Sequence, residues 1–196
     1  MIRQKLYLLI TVLLVTVAVK AQNQYRKIDT LMKLGREGYK VLCNNKSDVK
    51  NNLSITPVGF KNGARDFSFE IKGRLLGTEV DDLNNDMFPD LVLYIYSPNE
   101  KSVGSVIGIS SVNNESVMPI VFPDISNDPK IRTGYVGYDS FMLMEGSLMR
   151  RFPLYQVDST GTKPTGMYRQ IQYTVVPGER ESLKFKVVRS FDFAKK

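Results

Sequence analysis

Apolar and polar residues alternate along much of this chain, and the alternation has a period of two. FSFEIKG (67–73) sets Phe67, Phe69 and Ile71 on one side and Ser68, Glu70 and Lys72 on the other, the signature of a half-buried strand. RQIQYTVV (169–176) does the same with Ile171, Tyr173 and Val175, and LKFKVVRSF (183–191) with Leu183, Phe185 and Val187. DLVLYIYS (90–97) is apolar on both sides, as expected of a central strand covered on each face. VGSVIGISS, SVMPIVF, FMLME and SLMRRFPLY supply further strands, with YKVLC and LSITPVGF before them. DISNDPKIRTGYVGYDS (124–140) holds too much Asp, Asn, Pro and Gly for a regular element. One stretch reads differently. In YRKIDTLMKLGREG (25–38), Ile28, Leu31, Met32 and Leu34 approach helical spacing, and Gly35 and Gly38 offer a stop. The pattern predicts an all-β, antiparallel β-sandwich with a short N-terminal helix.

The first residues differ in kind. Arg3 and Lys5 precede an apolar run, Leu6 to Val19, and Val19-Lys20-Ala21 offers a small-residue cleavage site. This is the form of a secretory signal peptide cleaved after Ala21, which predicts a periplasmic or secreted protein with no membrane attachment after cleavage. The predicted organisation is a signal peptide at 1–21, an N-terminal extension at 22–66 packed on the main domain, and the main β-domain at 67–196. Cleavage would lower the net charge from +7 to +4, because Arg3, Lys5 and Lys20 leave and no acid goes. So mild an excess, spread along the chain, predicts no nucleic-acid partner. Cys43 is the only cysteine, so no internal disulfide can form, and there is no histidine. Histidine-based triads and His-ligated zinc are thereby excluded, and no enzyme is expected.

Two local patterns bear on chemistry. In DDLNNDMFPDL (81–91), Asp82, Asn84, Asp86 and Asp90 stand at positions 1, 3, 5 and 9, with the Phe88 carbonyl at position 7. That spacing wraps oxygens around Ca²⁺. Met87 replaces the glycine of position 6, however, and Leu93 the bidentate Glu of position 12. A calcium loop and an Asx-rich turn that starts the next strand are both open readings. The second pattern is the arginine pair in GSLMRRFPLYQVDSTGTKPTG (146–166). In a strand, Arg150 and Arg151 face opposite ways, and both faces carry apolar residues. The more buried guanidinium needs a carboxylate, with Asp139, Glu145 and Asp158 nearby in sequence. The other is a fork offered to a partner. Glu145 with Asp139 or Asp158 could also form a catalytic carboxylate pair, although no spacing selects one. The residues after Tyr155 read as a polar loop.

DLNNDMFPDLVLYIYS, followed by GYVGYDSFMLMEGSLMRRFPLYQVDSTGTKPTGMYRQIQYTV, resembles the periplasmic inhibitors of I-type (invertebrate) lysozymes. The likeness spans roughly residues 67 to 190. It implies a β-sandwich that binds a lysozyme and blocks its substrate cleft, protecting peptidoglycan; the sequence is also compatible with a homodimer. The family's inserting loop corresponds to SPNEKSVG, which makes Ser97, Asn99, Glu100, Lys101, Ser102, Val103, Gly104 and the nearby Tyr138 the implied contact residues. Val103 stands where the family carries a tyrosine. Gly134, Asp139, Arg150, Arg151, Pro164, Thr165, Gly166 and Arg169 match the family's motifs and are implied to be scaffold or rim. No cofactor is expected, calcium in the 81–91 loop aside. The alternative from another class is a non-catalytic module that binds glycan or other cell-envelope partners, stabilised by calcium.

Overall fold

The computed structural model describes residues 26–61, 64–97 and 102–194, and the signal-peptide reading and loop residues Asn99, Glu100 and Lys101 lie outside them. The protein is all-β and forms two sheets. The first sheet runs in sequence order through β1 (Ile28–Leu34), β2 (Glu37–Cys43), β3 (Lys50–Val58) and β4 (Phe67–Lys72), all antiparallel. The second contains β5 (Arg74–Asp81), β6 (Asp90–Tyr96), β7 (Gly104–Val112), β8 (Ser116–Val121), β9 (Ser140–Met144), β10 (Ser147–Asp158), β11 (Gly161–Pro177) and β12 (Leu183–Ala194). Its spatial order is β5-β6-β7-β8-β12-β11-β10-β9. Among the described strands, only β8 and β12 pair in parallel.

The expected N-terminal helix is replaced by a hairpin. Residues 28–34 form β1, paired from Ile28↔Cys43 to Leu34↔Glu37, and Gly35 turns the chain at φ +67. A period of two is also present there, with Ile28, Thr30, Met32 and Leu34 partly covered and Asp29, Leu31 and Lys33 exposed. Seven residues are too few for local helix propensity to outweigh a full ladder to β2. One further strand and one hairpin tip fall outside the sequence expectations as well. RLLGTEVD forms β5, and the stretch expected as a polar loop continues the β10–β11 ladder to its tip at Asp158↔Gly161. Pro164 is tolerated there because it sits opposite Tyr155, just beyond the register shift after Pro153.

β6 explains why two sheets share one body. Its first six residues are all buried. Leu91, Leu93 and Ile95 join Tyr39, Val41, Leu53 and Ile55 of the first sheet in one core. Val92 and Tyr94 point the other way, into a second core with Leu148, Phe152, Ile171, Tyr173 and Phe185. The first sheet therefore covers the outer face of β5–β7, while the second curls around its own core. The curl nearly closes: the Leu143 amide of β9 donates to both carboxylate oxygens of Glu79 on β5 at 3.3 Å. The Gly146 amide donates to Asp81 Oδ2 at 3.2 Å. Side-chain carboxylates, not a backbone ladder, bridge this seam. The second sheet is thus nearly barrel-shaped. Between β8 and β9 the chain crosses one end through a 3₁₀ turn (Ile125–Asn127) and a single-turn helix, α1 (Pro129–Arg132).

Candidate functional site

Arg150 points into the curled sheet and is 2% exposed. Its Nε donates to Asp139 Oδ1 at 2.8 Å, and its Nη2 donates to the Tyr135 hydroxyl at 3.0 Å. Tyr135 in turn donates to Asp139 Oδ2 at 2.6 Å. The guanidinium carbon lies 5.0 to 5.7 Å from the ring centres of Phe122, Tyr135, Phe141 and Phe152. Four rings thus surround a charge that is also ion-paired. Burial opposes the Arg150 charge, but the Asp139 hydrogen bond and charge outweigh it and raise its pKa. Burial, then the bond to Asp139, pushes the Tyr135 hydroxyl above its ordinary range.

The clamp reaches the loop that the sequence singled out. Asp139 Oδ2 accepts from the Gly104 amide at 2.8 Å, and the Asp139 amide donates to the Ser102 carbonyl at 3.3 Å. The Ser97 amide closes the loop's neck on the Val103 carbonyl at 2.9 Å. Gly104 has no room for a side chain: a Cβ would sit 2.5 Å from the Phe141 ring and 2.9 Å from Asp139 Cβ. Buried Arg150 therefore holds Asp139, and Asp139 holds the root of the 97–104 loop. Ser102 is exposed, Val103 half-buried and Gly104 buried. Beside them opens a cavity of about 510 Å³, walled by Phe122, Ile125 and Tyr135 and edged by Arg132. Tyr138 adjoins this neck, 42% exposed and at φ +62, a conformation costly for a bulky residue.

The other motif residues are dispersed. Arg151 faces outward, where Nε and Nη2 both donate to Gln170 Oε1 and the guanidinium lies over Phe193. Gly134, at φ +77, accepts from the Tyr155 amide. Thr165 donates to the Leu154 carbonyl, while Pro164 and Gly166 line a second cleft with Tyr138, Tyr155 and Tyr168. Arg169 grips Asp192 with two nitrogens and donates from Nη1 to the carbonyls of Lys130, Ile131 and Thr133. It thereby caps the end of α1. Only Ser97, Ser102, Val103, Gly104, Tyr138, Asp139 and Arg150 come together. The aromatic cage was not read from the sequence, although the inward positions of Phe141 and Phe152, on Arg150's own face, were its available signal.

The Asp-rich loop folds as a chain of Asx turns. Asp82 accepts the amides of Asp86 and Met87, Asn84 accepts that of Asp86, and Asp86 accepts that of Phe88. Asn85 and Met87 take positive φ, so Met87 fills the tight position and leaves its side chain 86% exposed. No group of three or more His, Cys, Asp or Glu that could hold a metal is assembled among the described residues. Asp90 differs from its neighbours. It is fully buried, with Oδ2 accepting the Leu83 amide at 2.9 Å and Oδ1 without an aligned partner. Ser110 lies opposite it on β7. Burial pushes its carboxyl up to about 6, against the pull of Ser110 and the Leu83 amide.

The carboxylate pairs considered for catalysis are not assembled. Glu145 sits in the β9–β10 turn and Asp158 at the far end of β10, roughly 35 Å along the strand. Asp139 lies across the length of β9 from Glu145 and is spent on Arg150. Hydrolysis by paired acids needs separations below about 10 Å. No helix among the described residues is long and apolar enough to cross a membrane. No family model, no curated protein and no solved structure matches the chain, so the likeness to lysozyme inhibitors stands on its motifs alone.

Proposed function

We propose that this protein is an exported, non-catalytic binding protein that inserts its 97–104 loop into the cleft of a lysozyme and blocks it. One observation carries the reading: the C-terminal limb of the loop is bound through Ser102 and Gly104 to a buried ion pair, and the Ser97 amide closes the neck on Val103. An exposed loop would otherwise lose conformational entropy on binding, and fixing its ends beforehand reduces that cost. Building a buried clamp is expensive in desolvation, and its hydrogen bonds end on Ser102 and Gly104. The resemblance supplies the class of partner, and the sandwich-like packing of the first sheet on β5–β7 is compatible with the inhibitor architecture it implies. Val103 cannot fill a sugar subsite as a tyrosine would. Tyr138, 42% exposed and next in sequence to the Asp139 that grips the neck, would supply a ring in its stead. The test is inhibition of purified I-, g- and c-type lysozymes at micromolar protein. Tyr138→Ala and a loop with Asn99, Glu100 and Lys101 replaced by glycine serve as folded controls that should lose activity. Inhibition untouched by both changes would remove the loop from the account.

Calcium in the Asp-rich loop is a second reading, favoured by the unpartnered Asp90 Oδ1. Asp82, Asn84, Asp86 and Asp90, with the Phe88 carbonyl, would hold the ion. Its role there would be to stiffen the β5–β6 connection, with no part in chemistry.

A further inference from the structure

The first sheet covers the outer face of β5–β7, and no described residue packs across the outer face of β9–β12. The register defines what that face displays. Arg151 on β10 is opposite Gln170 on β11, which is opposite Phe191 on β12. One rung away, Met149 and Gln172 lead to Arg189, and another rung along, Thr174 leads to Lys186. Because Ile171, Tyr173 and Phe185 point into the core, the alternation sends Lys184 and Lys186 outward, and the register shift that skips Val188 brings Arg189, Phe191 and Phe193 to the same side, with Arg151. The face thus gathers four bases. The outward positions from Met149 to Tyr155, Tyr168 to Val176 and Lys184 to Phe193 hold no acid; Asp192 lies on the other side, bound to Arg169. None of the four bases has a carboxylate partner among the described residues.

Both arginines are set in place by aromatic rings. Arg151 lies 5.1 Å over Phe193 and Arg189 lies 5.0 Å over Phe191, and the two rings are 6.0 Å apart. The layer offered to a partner is therefore guanidinium, pre-oriented, with N–H groups still free to bind oxyanions in pairs. From Lys184 to Phe193 the stripe runs about 30 Å along β12, a length suited to a polymer. Around Pro153 and Tyr168 it meets the tyrosine-walled cleft of about 380 Å³, where Tyr138 and Tyr155 stack at 6.1 Å. Phenol rings present an apolar face and a polar tip together, which matches the C–H faces and hydroxyls of a sugar ring.

We infer that this face binds an acidic polysaccharide, whose carboxylates meet Arg151, Arg189 and the two lysines while one sugar ring enters the tyrosine cleft. A single-stranded nucleic acid is disfavoured, because stacking needs open ring faces and here the guanidinium groups cover Phe191 and Phe193. The basic stripe is distinct from the 97–104 loop and the two readings share only Tyr138, so the arginine and lysine pairs test this inference apart from lysozyme binding. The test is fluorescence polarisation of the purified protein with labelled oligogalacturonate, neutral dextran, polyglutamate and an oligothymidylate. Oligogalacturonate should bind best, dextran should not bind, and affinity should fall about tenfold or more between 50 and 200 mM salt. Arg151→Ala with Arg189→Ala should weaken binding about tenfold, as should Lys184→Ala with Lys186→Ala, whereas Lys33→Ala on β1 should change nothing. Absence of binding at 50 mM salt, or binding unaffected by either pair, overturns the inference. So does equal or tighter binding of polyglutamate or oligothymidylate. Self-association that disappears in the arginine variant would assign the face to a second copy of the chain instead.

Discussion

Asp139→Asn puts the clamp to a quantitative test. The substitution keeps the side chain's shape and removes its charge. The Arg150 guanidinium, 2% exposed, would then remain charged inside a ring of aromatics with no counter-ion. Asparagine also turns one acceptor oxygen into a donor, facing either Arg150 Nε or the Gly104 amide and Tyr135 hydroxyl, all of which donate. Removing one partner of a buried pair costs about 3–5 kcal/mol. For a chain of this size each kcal/mol shifts Tm by about 2–4 °C, so a fall of roughly 6–20 °C is expected. Urea unfolding at pH 7, followed by tyrosine fluorescence and circular dichroism together, measures it. Replacing both partners with apolar residues, as Asp139→Leu with Arg150→Met, should recover part of the loss, because the orphaned charge disappears while the Gly104 amide and Tyr135 hydroxyl still lack their acceptor. If Asp139→Asn costs less than about 1 kcal/mol, the ion pair is not the anchor of the loop.

Three further outcomes follow from the same geometry. Gly104→Ala should destabilise by about 1–3 kcal/mol, because its Cβ meets Phe141 and Asp139 below 3.0 Å; a neutral result in chemical denaturation would show the neck to be loosely packed. Asp90 titrates at about 6 when folded and near 3.8 when unfolded, so its ionisation weakens the fold above pH 6 and the cost is gone below 3.8. Between pH 7.5 and 4 the wild type should gain about 2 kcal/mol relative to Asp90→Asn, and equal pH profiles for the two proteins would contradict the burial of that charge. Added Ca²⁺ should raise the melting temperature and a chelator lower it, with Asp86→Ala abolishing the response. An unchanged melting curve removes calcium from the loop.

The strands were legible where one face is buried and the other is wet, as in β4, β11 and β12, because a period of two then shows directly in the sequence. β6 was legible for the opposite reason, its run being apolar on both faces, and the structure puts a core on each side of it. β1 misled because Leu31 is 53% exposed, and counting it as a core position turned a strand into an apparent helix. The tip of the β10–β11 hairpin was hidden by Pro164 and Gly166, which signal loops unless a register shift accommodates them. The need of one guanidinium for a carboxylate was readable, with Asp139 among the three candidates. Choosing Asp139 required knowing that the β8–β9 connection crosses the end of the sheet. The basic outer face is not legible in the sequence, because its four bases lie on two strands and meet only through the register.

The most direct test of the account is a lysozyme inhibition assay with the purified protein at micromolar concentration. The account predicts inhibition of an I-type enzyme, weakened by Tyr138→Ala and by Asp139→Asn at temperatures where the latter is still folded. Full lytic activity of I-, g- and c-type lysozymes in its presence would contradict it.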